Sequence, residues 1–128
     1  MKQVLLVDDE AMVRRVLQVA LEKAGFAVET AANGEEALTR LRAQAPDVMI
    51  TDIEMPRMDG RTLCETLHAE QPERAFPVFV VTSLTEREHR SWSSAIGNLH
   101  FLEKPVSVRK LLAKIGECLG ECRIATGT

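Results

Sequence analysis

The sequence predicts one α/β domain in which five parallel strands alternate with five helices. Short apolar runs alternate along the chain with segments whose apolar residues recur at helical spacing. The run Val48–Thr51 shows no polar–apolar alternation, which is typical of a central parallel strand covered on both faces. The length of 128 residues, 45% of them hydrophobic, is enough for one core and no more. We therefore expect a parallel sheet with right-handed crossovers and helices on both of its faces.

The first three predicted elements follow from the apolar pattern. Strand β1 is predicted over Gln3–Val7, helix α1 over Ala11–Ala24 and strand β2 over Phe26–Ala31. Gly25 is the expected stop of α1. The residues of α1 that recur at helical spacing, and should face the core, are Val13, Val16, Leu17, Ala20, Leu21 and Ala24.

The middle of the chain carries a capping signal and a second helix–strand pair. Asn33 is the predicted N-cap of helix α2, with Glu36 as its capping-box partner, and α2 continues to about Gln44. Strand β3 is predicted over Val48–Thr51, and helix α3 over Gly60–Ala69.

The last elements are a buried strand, a polar helix and an edge strand with its helix. Strand β4 is predicted over Pro77–Thr82, helix α4 over Thr85–Ala95 and strand β5 over Leu99–Glu103. Ser107 can cap helix α5, whose apolar face is Val108, Leu111, Leu112, Ile115 and Leu119. Helix α4 is rich in Ser and charged residues, and its Trp92 is interpreted either as a contact with the sheet or as part of a partner surface. The expected strand order is 2-1-3-4-5, that of small flavodoxin-like doubly wound domains.

Composition excludes several classes of protein. The net charge of −3 gives no basic footprint for nucleic acid. No apolar run approaches the length of a membrane span or a signal peptide, so we expect a cytoplasmic protein without membrane insertion. The three cysteines, Cys64, Cys118 and Cys122, do not form a disulfide framework, and without a His close to them in sequence they are interpreted as plain thiols.

Charged and hydroxyl side chains follow four of the predicted strands. Asp8 and Asp9 follow β1, Asp52 follows β3, Thr82 ends β4 and Lys104 follows β5. In a parallel sheet these ends lie on one rim, where α/β proteins bind ligands. Three carboxylates close together repel one another, and one lysine does not balance them. A divalent cation that prefers oxygen ligands would balance their charge, and Mg²⁺ is the natural choice.

The same residues suggest phosphoryl transfer. A carboxylate can act as a nucleophile and form an aspartyl-phosphate, and this chemistry needs positioning and charge stabilisation above all. Lys104 would neutralise one phosphoryl oxygen, and Thr82 would donate a hydrogen bond to another.

With these residues in this order, the chain resembles the receiver domain of two-component response regulators over nearly its whole length. The matching segments are "LLVDDE", "TDIEMPRMDG", "VVTS" and "FLEKP", in that order. The resemblance implies that Asp52 is the phosphoacceptor and that Asp8, Asp9, Asp52 and the backbone carbonyl of Glu54 bind Mg²⁺. It also implies that Lys104 pairs with the phosphate, that Thr82 and Phe101 form the switch, and that the Lys104–Pro105 bond is cis.

The resemblance thus predicts a single-domain response regulator, with residues 1–120 as the receiver domain and 121–128 as a short tail. Its donor would be a histidine kinase or a histidine phosphotransfer protein. It would signal to a downstream protein through the α4–β5–α5 face, as a monomer or a phosphorylation-dependent dimer, without binding nucleic acid itself. It would not be an enzyme beyond assisting its own phosphorylation and dephosphorylation.

Three alternatives stay open from the sequence. The chain could be the receiver of a larger regulator or hybrid kinase that carries a DNA-binding or other effector domain. A phosphatase of the haloacid-dehalogenase type would place a second Asp two residues after the nucleophile, where this chain has Glu54. A scaffold without phosphorylation would be expected to have a broken site, and here every expected residue type is present.

Overall fold

The computed structural model describes residues 1–83 and 92–119 of the chain. Its five strands form one parallel sheet in the order β2-β1-β3-β4-β5, which confirms the predicted topology. The strands are β1 Gln3–Val7, β2 Ala27–Ala31, β3 Val48–Asp52, β4 Val78–Thr82 and β5 Leu99–Glu103.

Four of the predicted helices lie within the described residues. They are α1 Ala11–Lys23, α2 Gly34–Ala43, α3 Gly60–Glu70 and α5 Val108–Leu119. Residues 84–91, which include most of the predicted α4, lie outside the described residues, and so do residue 120 and the predicted tail, residues 121–128. Trp92 and Ser93, near the predicted end of α4, are helical. No helix in the described part of the chain has both the length and the apolar composition that crossing a membrane requires.

Alternate residues of the central strands supply two separate cores. On one face Leu5, Met49 and Val80 pack with the buried residues of α2 and α3. On the other face Leu6, Ile50 and Phe79 pack with α1 and α5. Both faces of β3 and β4 are therefore covered, which explains why these strands lack polar alternation.

Side-chain caps fix where three helices begin. The Asn33 side chain accepts a hydrogen bond from the Glu36 amide at 2.8 Å, as predicted for the start of α2. Asp59 does the same for α3, accepting from the Thr62 amide at 2.8 Å. At the start of α5, the Lys110 amide donates to Ser107 Oγ at 3.3 Å. Each cap satisfies an amide that has no partner inside its helix.

The predicted core face of α1 was wrong in part. Leu17 and Leu21 are buried, and Val13 and Ala20 are partly buried. Val16, however, is 60% exposed, and Ala24 is exposed. Only a narrow face of the helix packs against the sheet, so only some of its apolar residues reach the core.

The position of Asp52 also differs from the prediction that it lies just past β3. It is the last residue of the strand, and only 4% of its surface is exposed. The carboxylate is therefore attached to a residue of the sheet itself rather than to the loop that follows it. Such burial is costly for a carboxylate unless partners surround it.

Trp92 packs into the core rather than lying on the surface. Only 8% of its surface is exposed, and its ring meets the edge of Phe101 with centroids 5.9 Å apart. The contact with the sheet is therefore the interpretation that the structure favours for Trp92.

Candidate functional site

The carboxyl ends of neighbouring strands bring the predicted residues to one rim. Asp52 pairs in register with Val81, which places the next residue, Thr82, beside the end of β3. The amide of Lys104 donates to the Thr82 carbonyl at 2.9 Å and so fixes the exit of β5 against β4. On the other side, the Asp8 amide donates to the Ala31 carbonyl at 3.1 Å. The parallel register, rather than any local sequence, makes these residues neighbours.

The two oxygens of Asp52 have different partners. Oδ1 accepts a hydrogen bond from the Ile53 amide at 2.7 Å and a longer one from the Glu54 amide at 3.4 Å. Oδ2 lies 2.9 Å from the ammonium group of Lys104. Charge-assisted hydrogen bonds of this kind offset the cost of burying an anion. Asp52 is thereby held in one orientation at the rim.

Two further carboxylates complete an acidic cluster. Asp8, Asp9 and Asp52 each offer an oxygen, and these oxygens lie within 4.8 Å of one another. Asp8 is buried and accepts from the Glu10 amide at 2.9 Å, whereas Asp9 is exposed. Among the described residues, this is the one group of three or more acidic, His or Cys side chains close enough together to hold a metal ion.

The electrostatics of the rim reflect this crowding. Burial raises the pKa of Asp8, and the charges of Asp52 and Asp9 act in the same direction. Burial acts to lower the pKa of Lys104, but the hydrogen bond and charge of Asp52, helped by Asp8 and Glu54, outweigh it and raise that pKa. The site as a whole has more negative charge than Lys104 balances.

The residues present fit a magnesium ion. Mg²⁺ binds oxygen ligands, keeps several waters and usually takes only one or two carboxylates from the protein. Two of the carboxylates, Asp8 and Asp52, are buried, and the third, Asp9, is exposed. Asp9 and Asp52 line an open basin together with Glu54, Asp59 and Lys104. Space therefore remains for waters and for phosphoryl oxygens.

The two predicted switch residues lie on adjacent strands. Thr82 is buried at the end of β4. Phe101, in β5, is partly exposed and contacts Trp92. Phe101 pairs in register with Val80, two residues before Thr82, so the two side chains share one face of the sheet. The Lys104–Pro105 peptide bond is cis, as the resemblance implied.

Sequence reasoning missed several groups that shape this site. The Ile53 amide holds Asp52 but, being backbone, leaves no mark in the sequence. Arg14 donates to the Asp8 carbonyl at 2.7 Å, from a helix position that the apolar pattern left unassigned. From the sequence, Gly60 was predicted only to begin α3. A Cβ there would lie 2.3 Å from the Asp52 carbonyl oxygen, so the chain after Asp52 folds back in a way that only glycine permits.

Comparison with known proteins gives one consistent result. The family model described as the response regulator receiver domain matches residues 4–116. The chain is 33% identical, over 97% of its length, to the alkaline phosphatase synthesis transcriptional regulatory protein PhoP of Bacillus subtilis, of which it covers 51%. It is 44% identical, over 82% of its length, to the protein-glutamate methylesterase/protein-glutamine glutaminase 3 of Rhodospirillum rubrum, of which it covers 28%.

Among solved structures, the chemotaxis protein CheY4 of Vibrio cholerae superposes with a TM-score of 0.83 at 32% identity. That match covers 92% of this chain and 98% of the other. The chain spans about half the length of the first curated relatives it matches, or less.

Proposed function

This chain belongs to the response regulator receiver family, and from that membership we propose that it accepts a phosphoryl group on Asp52 from a phosphohistidine. The donor would be a histidine kinase or a histidine phosphotransfer protein in the cytoplasm. The observation that carries the proposal is the placement of Asp52. Its carboxylate is buried, fixed by the Ile53 amide and Lys104, and close to two other carboxylates.

Asp52 and Lys104 have separate roles in the proposed transfer. An oxygen of Asp52 attacks phosphorus, a new O–P bond forms, and the P–N bond to the donor histidine breaks. Lys104, now 2.9 Å from Asp52 Oδ2, moves its hydrogen bond to a phosphoryl oxygen. The Ile53 amide keeps the other carboxylate oxygen in place during the attack. The transition state spreads charge over the phosphoryl oxygens, and such positioned donors stabilise it.

Mg²⁺ is the proposed cofactor, held by Asp8, Asp9, Asp52 and the backbone carbonyl of Glu54. When bound, the ion would screen the charges and polarise the phosphoryl oxygens. The residues of the chain would do the rest: Asp8 and Asp9 orient the ion's ligand shell, and Arg14 holds the backbone of Asp8. The proposed role is that of a signalling domain, which does not turn over a separate substrate.

Phosphorylation would then act through Thr82 and Phe101. The phosphoryl group adds about −1.5 to −2 charges and strong acceptor oxygens. Thr82 would move toward those oxygens, and Phe101 would turn inward into the space released. This would change the predicted α4–β5–α5 face, to which a downstream protein would bind. The size of the change is set by how much better the phosphoryl group fits the switched state.

A transfer assay tests the proposal at the donor step. A phosphotransfer protein carrying labelled phosphohistidine is mixed with wild type, with Asp52→Asn and with Asp47→Asn. Asp47 is a matched control, because it is an Asp at the opposite end of the sheet, where it accepts from the Gln3 amide. We expect label on wild type and Asp47→Asn only. Equal label on Asp52→Asn would show that another residue is the acceptor.

A second candidate is a receiver that works within a longer regulator. The curated relatives that favour it are transcriptional regulators of about twice this length. In that case the α4–β5–α5 face would contact an attached effector domain or a second receiver, and DNA binding would belong to the effector. An immunoblot of the native source against this chain would distinguish the two, since the longer protein would migrate at about double its mass.

A further inference from the structure

A chain of contacts leads from the end of β3 through the first turn of α3 toward β5. Gly60, which begins α3, donates its amide to the Ile53 carbonyl at 2.8 Å. It also lies so close to Asp52 that a Cβ on it would be 2.3 Å from the Asp52 carbonyl oxygen. The next residue of the helix is Arg61. The start of α3 is therefore braced against the backbone at the end of β3.

The Arg61 side chain lies over the ring of Trp92. Its guanidinium carbon is 6.0 Å from the ring centroid, which is within the range of a cation–π interaction. The same ring meets Phe101 at an interplanar angle of 81°, with centroids 5.9 Å apart. Trp92 thus contacts both a cation on α3 and the predicted switch aromatic of β5.

Arg61 is also paired with Glu65, one turn further along α3. Its Nε lies 3.4 Å from Glu65 Oε2, and both side chains are half-exposed. An ion pair in that setting contributes little to stability. Trp92, by contrast, is buried, so a cation over its ring is partly shielded from water and interacts more strongly. The pair with Glu65 therefore helps to aim the guanidinium at the ring.

The contact between Arg61 and Trp92 favours one state of the proposed switch. Lys104 is bonded to Asp52, which is the arrangement that precedes the proposed transfer. In this arrangement Phe101 is partly exposed and packs on Trp92. An inward turn of Phe101 changes that packing, and a cation held over the ring opposes any movement of Trp92 that follows. The contact therefore stabilises the arrangement before transfer more than the arrangement after it.

We propose that Arg61 is a positioning residue of the switch, which holds Trp92 against Phe101 until Asp52 is phosphorylated. This inference rests on the proposed function. Because Gly60 ties the same end of α3 to Asp52, a shift at the end of β3 also reaches Trp92 by a route that does not use the end of β4. Coupling of this kind is established by measuring how two substitutions combine.

Binding of beryllofluoride, a tetrahedral phosphoryl analogue, tests the inference at equilibrium. Bound beryllium is measured by equilibrium dialysis with Mg²⁺ in excess, so the readout does not depend on Trp92 fluorescence. A contact that stabilises the arrangement before transfer works against the analogue. Its loss in Arg61→Met should therefore tighten binding about two- to fivefold, the range expected for one cation–π contact. Arg61→Lys keeps a cation and should stay closer to wild type.

Two controls separate this effect from a general loss of stability. Arg42 pairs with Glu70, which ends α3 about 14 Å along the helix axis from Arg61, so Arg42→Met should leave the affinity unchanged. In Phe101→Ala the residue that Trp92 would restrain is missing, so adding Arg61→Met should have no further effect. Destabilisation alone weakens binding or leaves it unchanged, whereas the proposal predicts tighter binding.

Several results would overturn the role of Arg61 and leave the proposed function intact. They are equal or weaker binding by Arg61→Met, an equal tightening in Arg42→Met, and a tightening by Arg61→Met that persists in full in Phe101→Ala. Binding by Arg61→Lys as tight as by Arg61→Met would also count against it, because the cation would then not matter. A wild type that binds beryllofluoride no better than Asp52→Asn would overturn the proposed function, and this inference with it.

Discussion

At the residue scale, the buried carboxylates at the rim differ in how well nearby donors and cations offset their charge. Asp52 is buried and has the ammonium of Lys104 and the Ile53 amide as partners. Asp8 is also buried, and the hydrogen-bond donor to its side chain is the Glu10 amide. The charges of Asp52 and Asp9 further disfavour its ionised form. Burial together with this repulsion raises the pKa of Asp8. The chain therefore keeps one poorly compensated charge beside Asp52.

Replacing Asp8 by Asn should stabilise the protein in the absence of divalent cations. The pKa of Asp8 is higher in the folded state than in the unfolded state, so its ionised form destabilises the fold at neutral pH. We expect Asp8→Asn to raise the free energy of unfolding, measured by urea denaturation in EDTA. Mg²⁺ should stabilise wild type but have little effect on the variant.

Asp47→Asn is the control for that experiment, because Asp47 lies at the other end of the sheet. It should not gain stability in EDTA, and its response to Mg²⁺ should match that of wild type. A loss of stability in Asp8→Asn without Mg²⁺ would contradict the account of the acidic cluster.

The side chains of the rim were predictable from sequence, but their supporting groups were not. Asp8, Asp9, Asp52, Thr82 and Lys104 each follow or end an apolar run, and parallel strands bring such positions together. Backbone donors such as the Ile53 amide carry no sequence signal. The contact between His100 and Cys118 depends on how α5 packs against β5, which periodicity does not determine.

At the element scale, the segment between β3 and α3 is constrained by close backbone approaches. The Gly60 amide donates to the Ile53 carbonyl at 2.8 Å, closing the loop onto the end of β3. Gly34, at the start of α2, lets Met58 approach so closely that a Cβ would lie 2.7 Å from its Cγ. The loop that follows Asp52 is thus fixed from both sides.

Gly60→Ala should disturb both the fold and the site. Its Cβ would lie 2.3 Å from the Asp52 carbonyl oxygen, so backbone must move. We expect a loss of about 1–3 kcal/mol in unfolding free energy, together with slower phosphorylation by acetyl phosphate. Gly97→Ala is the matched control, because nothing lies within 4 Å of a Cβ at Gly97. If both variants behaved alike, the close approach would not matter.

The elements also show where pattern reasoning loses accuracy. The existence and order of the strands were correct, because apolar runs separated by turn residues are strong signals. The prediction that Val16 faces the core was wrong, because the face of α1 that meets the sheet is narrower than the stripe of apolar residues on the helix. The exact end of β3 was missed by one residue, since Asp52 is itself part of the strand.

At the scale of the whole molecule, the sheet connects the rim to the face beside β5. Strands β3, β4 and β5 are adjacent, so Asp52, Thr82 and Phe101 lie in successive strands. Phe101 contacts Trp92, which packs in the same core as α2 and α3. A change at Asp52 therefore has a short route through packed side chains to the surface proposed for the downstream partner.

Phe101→Ala should uncouple that surface from phosphorylation. Trp92 is the one Trp of the chain and lies 5.9 Å from Phe101, centroid to centroid, so its fluorescence should report the proposed switch. We expect acetyl phosphate with Mg²⁺ to change the emission of wild type, and the change to be at least halved in Phe101→Ala. The variant should still be phosphorylated. An undiminished change would exclude Phe101 from the switch, and a change in Asp52→Asn would show that the signal does not report phosphorylation.

The most direct test of the central claim is the intact mass of the protein after incubation with acetyl phosphate. Wild type and Asp52→Asn are compared, each with Mg²⁺ and with EDTA. The account predicts one phosphoryl adduct, on wild type and only with Mg²⁺. An adduct of equal yield on Asp52→Asn, or one formed equally in EDTA, would contradict the claim that Asp52 is the magnesium-dependent phosphoacceptor.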